Sequence, residues 1–359
     1  MNPKIYAVPE PLADETLSSW MWRVNSTAHI PIMSYMQFSS LEDDIIDRDQ
    51  IGLRGGRFAD HDILTENGLV ESFKRAFNIS QPWLNKRFPK LSQPTIPTQF
   101  RRAFCSQCFI ESFQKIGTPV SKVQWCYLTK PLCEFHGTPL HDSSIFFIDH
   151  DDYTIQAFVS YWDDHQFKEN CDLIRGAGAM TYSLALKAQQ KLDKLTKMAS
   201  KSGHSFGVQM FVLTLMRAMM IPAFHHGYPK IAFAHWGGSD PFAGLGIHGD
   251  FYNEIYRSTC LARLYALYFS AIILGWITSK QAFKTLRENY FSPWNTHIIW
   301  SILHDRPGVF RLLFSELKLY ETPHLNLTHI DIPQTTRMIY DAYDNDCLLD
   351  TGMCVTSHR

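Results

Sequence analysis

Two short Cys/His pairs are the residues of this chain whose types and spacing best fit a chemical role. Cys105-Ser-Gln-Cys108 and Cys133-Glu-Phe-His136 are separated by 24 residues. In a CxxC turn both thiolates can face one ion at about 2.3 Å, and a second pair from another segment completes a tetrahedron. Three thiolates and a neutral imidazole leave no open coordination position. The spacing therefore predicts a structural Zn²⁺ site, which stabilises a fold and performs no hydrolysis.

Two other interpretations of these cysteines stay open at this point. Reduced Cys packs as a small apolar side chain, so the pairs could be buried thiols without a metal. Cys126 lies between the two pairs and could replace one ligand. Its surroundings, residues 124–128, form an apolar and aromatic run that is more typical of a strand than of a metal-binding turn. We therefore predict a strand here, which would bring the second pair back to the first.

Size and composition predict a globular protein with a substantial core. The chain has 359 residues, of which 45% are hydrophobic and 19% charged, and this length allows two or three domains. The first residues contain no apolar run of signal-peptide length. The most apolar stretch, residues 264–277, is too short to cross a bilayer. We expect a cytoplasmic protein without a membrane segment, in which cysteines are metal ligands or free thiols.

Apolar residues at helical spacing position the cysteine pairs within a helical chain. Leu17, Trp20, Met21 and Val24 recur at i, i+3, i+4 and i+7 behind Asp14, which is a good N-cap residue. A second helix is predicted over 68–77, and prolines from Pro82 onward predict an extended connector to the first cysteine pair. Further helices are predicted over 182–201, 205–220, 252–277, 279–290 and 293–319, the last with a break at 307–308.

These elements predict a mainly α fold, in which several helices surround a small embedded zinc-binding ribbon or finger module. We expect an N-terminal helical region over 1–99, the zinc module over 100–145 and a C-terminal helical domain over 146–359. Within the last domain, the helix over 252–277, a tight turn and the short basic helix over 279–290 have the outline of a helix-turn-helix.

Charge is distributed unevenly although the formal net charge is only −1. No acidic residue lies between Glu71 and Glu111, and aromatic residues are interspersed among the seven basic residues there. This basic tract and the candidate helix-turn-helix could contact nucleic acid. The candidate contacts are Lys86, Arg87, Lys90, Arg101, Arg102, Lys280, Lys284 and Arg287.

An enzymatic role would need a constellation of catalytic residues. The acidic cluster Asp149, His150, Asp151 and Asp152 could belong to a metal-dependent nuclease, but such sites need carboxylates that converge from separate elements. The sequence contains no GxxxxGK[ST], GxSxG or HExxH motif. We therefore predict a protein that is not an enzyme.

The order of the motifs resembles a known family. The segment from Pro11 to Trp20 (PLADETLSSW), followed by Arg23, looks like the N-terminal signature of the TniQ family. Residues 102–108, then Trp125, then Cys133-Glu-Phe-His136-Gly-Thr-Pro-Leu140 resemble the zinc module of that family. The resemblance covers about residues 8–142 and implies that the region over 1–99 is of the TniQ type.

The resemblance implies a target-selection adaptor in DNA transposition. Members recognise an attachment site or dock on a guide-RNA Cascade complex in CRISPR-associated transposons, and they recruit an AAA+ regulator that brings in the transposase. Some longer members carry a second cysteine-rich finger, which residues 143–260 do not provide. This difference favours docking on Cascade, and the alternative is direct sequence-specific DNA binding at an attachment site. Relatives that dock on Cascade form dimers, so the resemblance also implies a homodimer.

Overall fold

The computed structural model describes residues 8–28, 62–63, 68–88, 91, 94–97, 100–143, 179–220, 254–278, 280–282 and 307–330. The chain divides into two compact units, one of Met1–Ala179 with Thr259–Leu261 and the other of Met180–Ser258 with Ala262–Arg359. The described residues contain nine α-helices and one two-stranded sheet, so the predicted mainly α fold class is confirmed.

The first unit contains four of these helices and the sheet. Helices α1 (Leu17–Ala28), α2 (Gly68–Phe77) and α3 (Gln81–Arg87) come first, and strand β1 (Ala103–Phe104) leads into α4 (Ser106–Ile116). A 3-10 helix (Val123–Cys126) follows, and strand β2 (His141–Asp142) pairs antiparallel with β1. The predicted helix over 68–77 is confirmed.

The apolar stripe of α1 is the centre of the first core. Trp20 is fully buried, and its ring lies 5.5 Å from Phe73 and 5.2 Å from Phe88 between centroids. Its indole Nε1 donates to the carbonyl of Pro9 at 2.8 Å. We call this core the Trp20 cluster. It consists of Leu17, Trp20, Met21, Val24, Val70, Phe73, Phe77, Leu84 and Phe88.

The start of α1 differs from the prediction, because Asp14 is not its N-cap. Asp14 has a φ of 58°, in the left-handed region, and the helix begins at Leu17. Thr16 takes the capping role, since its Oγ1 accepts from the backbone N–H of Ser19 at 3.2 Å. Thr16, two positions later, is therefore the N-cap, and the predicted N-cap at Asp14 was wrong.

The connector after α2 was also predicted wrongly at its start. Pro82 does not extend the chain but lies in the first turn of α3, where Ser80 is the N-cap and accepts from the backbone N–H of Trp83. Proline is tolerated there because the first N–H groups of a helix have no intrahelical partner. Beyond it, Ile96 donates to the carbonyl of Cys126 at 2.7 Å, which brings the connector against the 3-10 helix.

The predicted strand over 124–128 is wrong, since the chain forms the 3-10 helix Val123–Cys126 there. Gln124, Trp125 and Cys126 are all buried. A strand would direct neighbouring side chains to opposite faces and would need a second covered face to bury all three. The tight turn instead directs Trp125 onto Phe109, at 5.3 Å between ring centroids.

The described part of the second unit is helical. It contains α5 (Ala179–Ser200), α6 (Ser205–Met220), α7 (Glu254–Arg257), α8 (Cys260–Ile273) and α9 (Pro307–Leu319), followed by a 3-10 helix (Leu327–His329). The first residue of α5 and the first two residues of α8 belong to the first unit. The predicted helices over 182–201 and 205–220 are confirmed. Within this unit α6 packs against α9 and α7. No helix of these described ranges is long and apolar enough to cross a membrane.

Two helix boundaries in the C-terminal part differ from the sequence prediction. The single helix expected over 252–277 is interrupted between α7 and α8, where the hydroxyl of Ser258 donates to the carbonyl of Ile255 at 2.6 Å. The carboxylate of Asp142 then accepts from the N–H of Cys260, the first residue of α8, at 2.7 Å. Helix α9 begins at Pro307, where a break was predicted. Of residues 279–306, only 280–282 belong to the described residues.

Candidate metal centre

The first Cys pair is positioned by the start of helix α4. Cys105 is the N-cap residue, and its carbonyl accepts from the N–H of Phe109 at 3.0 Å. Cys108 follows three residues later in the first turn, so both sulfur atoms lie on one side of the helix start. Both residues are buried, at 1% and 4% exposure. The helix backbone therefore sets the separation of these two thiols without the help of a bound ion.

The second pair lies in a tight turn that the sequence specifies with a glycine. Gly137 has a φ of 66°, and its N–H donates to the carbonyl of Cys133 at 2.8 Å. The N–H of Cys133 donates to the carbonyl of Thr138, also at 2.8 Å. A side chain at 137 would disfavour this left-handed conformation. The turn thus holds Cys133 and His136 on the side that faces α4.

The strand pair joins the two ends of this module. Ala103 is opposite Asp142, and Phe104 is opposite His141, immediately before the first cysteine and shortly after the second pair. Phe104 stacks on Phe109 at 5.0 Å between ring centroids. The apolar wall around the sulfur atoms consists of Ala103, Phe104, Phe109, Trp125, Leu140 and Cys260. This wall limits access of water to the thiols.

The structure brings together all four predicted ligands. The ligand atoms of Cys105, Cys108, Cys133 and His136 all lie within 4.8 Å of one another. His136 Nδ1 is 3.4 Å from the sulfur of Cys105, 3.4 Å from that of Cys108 and 3.5 Å from that of Cys133. The sulfurs of Cys108 and Cys133 are 3.6 Å apart, and all of these cysteines are free thiols.

These distances fit a tetrahedral ion. Bonds of about 2.3 Å to sulfur and about 2.0 Å to nitrogen give tetrahedral edges of about 3.8 Å between two sulfurs and about 3.5 Å between sulfur and nitrogen. The observed edges are 3.6 Å for Cys108 to Cys133 and 3.4 to 3.5 Å from the sulfurs to His136 Nδ1. The four side chains could hold a metal ion with only small displacements. Cys126 is buried but is not a member of this group.

The thiols affect one another's ionisation strongly. Hydrogen bonds from the side chains of Cys105 and Cys108 lower the pKa of Cys133 to about 2. Hydrogen bonds to Cys105 and Cys133, together with burial, raise the pKa of Cys108. One thiolate is therefore stabilised by its two neighbours, while a second negative charge at this distance is disfavoured. A divalent cation would remove that penalty and allow all three sulfurs to ionise.

His136 uses its two ring nitrogens in opposite directions. Nδ1 faces the three sulfurs, and Nε2 lies 2.9 Å from the carboxylate Oε1 of Glu111 on α4. Burial lowers the pKa of His136, but the hydrogen bonds to Glu111 and to Cys133 outweigh it, so the pKa lies above its ordinary value. Glu111 was not among the predicted site residues. The one feature of the sequence that points to it is its position, three residues after Cys108 on the same helix face.

Three of the predicted nucleic-acid contacts pair with carboxylates within the first unit. Arg101 Nη1 lies 2.8 Å from the carboxylate of Asp62, and Arg102 Nε lies 3.4 Å from that of Asp142. Arg87 is exposed but pairs with Glu10 at 3.0 Å and lies over the ring of Trp83. The side chains of Lys86 and Lys280 are exposed. Lys90, Lys284 and Arg287 lie outside the described residues, as do Asp149, His150, Asp151 and Asp152.

Two buried polar groups near α1 were not predicted either. Asp62 accepts from the N–H and hydroxyl of Ser18, at 2.9 and 3.0 Å, in addition to its ion pair with Arg101. Arg23 donates to both carboxylate oxygens of Glu15, at 3.1 and 2.7 Å, and both side chains are buried. These contacts explain why Arg23 is buried although it lies off the apolar stripe.

Fold and site together define a mainly helical protein with a closed Cys3His cluster that could hold a metal ion. No protein-family model, curated protein or solved structure matches this chain.

Proposed function

We propose that Cys105, Cys108, Cys133 and His136 bind one structural Zn²⁺, and that the protein is a non-catalytic target-selection adaptor in DNA transposition. The observation that carries the metal assignment is the set of tetrahedral edges between four protein ligand atoms. Soft thiolate and imidazole ligands in a tetrahedron are typical of zinc. With four protein ligands the ion would have no open position for substrate, and its role would be to stabilise the module.

The metal assignment is tested by the zinc content of freshly purified protein. We expect one zinc per chain by elemental analysis, with no comparable amount of another transition metal. Growth medium supplemented with iron or cobalt provides the control for metal availability, since zinc is expected to be retained when these ions are in excess. Protein that is folded and contains no zinc would contradict this assignment.

The adaptor assignment rests on the two motif regions that resemble the TniQ family. The contacts between them support it. The N–H of Thr16, just before α1, donates to the carbonyl of Ser121 at 3.0 Å, and the N–H of Val123 donates to the carbonyl of Asp14 at 2.7 Å. The helix of the first motif and the module of the second are therefore packed into one unit. A packed unit of this kind suits a rigid platform for partner proteins.

Charge pairing favours docking on a guide-RNA Cascade complex over direct reading of an attachment site. Arg87, Arg101 and Arg102 each pair with a carboxylate, and this pairing reduces the positive charge that they offer to phosphates. Direct DNA binders depend on such charge, and each phosphate contact steepens the dependence of affinity on salt. We therefore propose recruitment through the guide complex, with an AAA+ transposition regulator as the next partner.

Co-expression tests this order of recruitment. We expect the tagged protein to copurify with a Cascade complex and with the AAA+ regulator, and we expect Lys86→Ala to copurify equally well. Salt-dependent binding to bare DNA that Lys86→Ala weakens, without copurification, would favour the direct DNA-binding alternative. Metal-dependent DNA cleavage that Asp151→Ala abolishes would contradict a non-enzymatic role.

A further inference from the structure

We propose that Glu111 is a positioning residue of the metal centre: it orients the imidazole of His136 so that Nδ1, and not Nε2, binds the ion. This inference rests on the proposed zinc site. Glu111 itself would not touch the metal, because its carboxylate contacts the outer nitrogen of the ring at 2.9 Å. It would act through His136 alone.

The orientation of the His136 ring is set by contacts on both of its nitrogens. His136 Nδ1 lies 3.4 to 3.5 Å from three sulfur atoms, and Nε2 lies on the opposite side against Glu111. A ring flip would direct a carbon atom toward the sulfurs and would break the contact with Glu111. Both nitrogens are therefore engaged by different groups in one orientation of the ring.

Metal binding at one nitrogen of an imidazole determines where the ring proton lies. A metal takes the lone pair of a neutral imidazole nitrogen, so the proton of the ring must then be on the other nitrogen. With Nδ1 as the ligand, Nε2–H is the donor and the Glu111 carboxylate is the acceptor. Such a carboxylate fixes the tautomer and increases the basicity of the ligating nitrogen.

Glu111 lies on the helix whose start also positions two of the ligands. Cys105, Cys108 and Glu111 are spaced by three residues along the start of this helix. One helix would therefore set the positions of two ligands and of the group that orients a third. The Glu111 side chain is 66% exposed, so its replacement removes little packing. An exposed ion pair would by itself contribute little to stability.

Metal affinity of substituted proteins tests the proposal. We expect Glu111→Ala to weaken zinc binding by about 10- to 100-fold in competition with a chelator. Glu111→Gln is expected to weaken it less, because the amide oxygen can still accept from Nε2–H. The matched control is Glu134→Ala, since Glu134 is an exposed acid next to Cys133 that pairs with Lys130. Glu134→Ala is expected to bind zinc as the parent protein does.

A second readout separates positioning from a general effect of charge. Nitrogen-15 NMR of the zinc-bound protein is expected to show His136 with Nδ1 coordinated and Nε2 protonated. In Glu111→Ala, we expect the Nε2–H signal of His136 to shift and to exchange faster with water, while Glu134→Ala leaves it unchanged. Coordination through Nε2 in the parent protein would overturn the proposal.

The possible failures can be told apart. If the parent protein binds one zinc and Glu111→Ala matches it in affinity, the positioning role is wrong and the zinc site stands. If Glu111→Ala and Glu134→Ala weaken binding equally, the effect is general electrostatic attraction and the positioning role is again wrong. If the parent protein binds no zinc, the zinc assignment fails, and the inference fails with it.

Discussion

In the Trp20 cluster, helices α1, α2 and α3 bury aromatic and aliphatic side chains against one another, whereas the metal centre gathers three thiols and an imidazole behind a thin apolar wall. The ring centroid of Trp20 lies 5.2 to 5.5 Å from the ring centroids of Phe73, Trp83 and Phe88. The module around the cysteines has one helix of 11 residues and two strands of 2 residues each.

We infer from this difference that the two regions are stabilised in different ways. The Trp20 cluster buries nine apolar side chains against one another, and burial of apolar area is the main term that opposes the loss of chain entropy. Small units built from a short helix and a short strand pair commonly rely on metal ligation or disulfides for their stability. We therefore expect the metal to stabilise residues 103–142 far more than the Trp20 cluster. The hydrogen bonds of Thr16 and Val123 connect the two regions.

The largest effect is expected from loss of a ligand. Cys133→Ser should release the metal and unfold the module around it, since zinc binding in small units is worth about 10 kcal/mol or more as folding free energy. The matched control is Cys126→Ser, which also replaces a buried thiol but leaves the four ligands intact. Zinc analysis and urea unfolding distinguish the two. Zinc retention in Cys133→Ser, or its loss in Cys126→Ser alone, would contradict the ligand set.

The next largest effect is expected from loss of the side chain at the centre of the Trp20 cluster. Trp20→Ala should lower the free energy of unfolding by about 3 to 5 kcal/mol through the cavity it creates. It should leave one zinc bound, because the ligands are held by other elements. Trp83→Ala, at the half-buried edge of the same cluster, should cost less. A Trp20→Ala protein that folds but lacks zinc would show that the module depends on the cluster more than we propose.

A smaller effect is expected from pH. Burial lowers the pKa of His141, on β2, from 6.5 to about 4. Between these values the unfolded chain binds a proton that the folded protein does not, so stability is lost as the pH falls from 6.5 toward 4. The contribution of His141 to the loss is about 2 kcal/mol between pH 7 and pH 5. The control, His141→Gln, should lose that much less in urea unfolding over the same range, and equal losses would contradict the assignment.

Local spacing explains which parts of the site could be predicted from the sequence. Cys105 and Cys108 are separated by one helical turn, and Cys133 and His136 by one tight turn, so each pair specifies its own geometry. The stripe of α1 is equally local. The clustering of the four predicted side chains and the buried face of α1 therefore agree with the sequence prediction, and the predicted helix over 68–77 has the bounds of α2.

The features that were not predicted from the sequence depend on contacts between distant segments. Asp62 is 44 positions from Ser18 and 39 from Arg101, and no periodicity in the sequence relates them. The turn at 123–126 depends on hydrogen bonds with the segments around Asp14 and Ile96. Runs of apolar residues do not reveal such partners, so a strand was predicted there. Glu111 was overlooked for the same reason, since its partner His136 is 25 positions away.

Amide hydrogen exchange before and after treatment with a zinc chelator measures how far each of the two regions depends on the metal. We predict that chelation abolishes protection of the backbone N–H groups of Phe109, Cys133 and Gly137, which donate hydrogen bonds within the module. The interior amides of α1 and α2 should keep their protection. Unchanged protection of the module after the metal is removed, or equal loss of protection in both regions, would contradict the account.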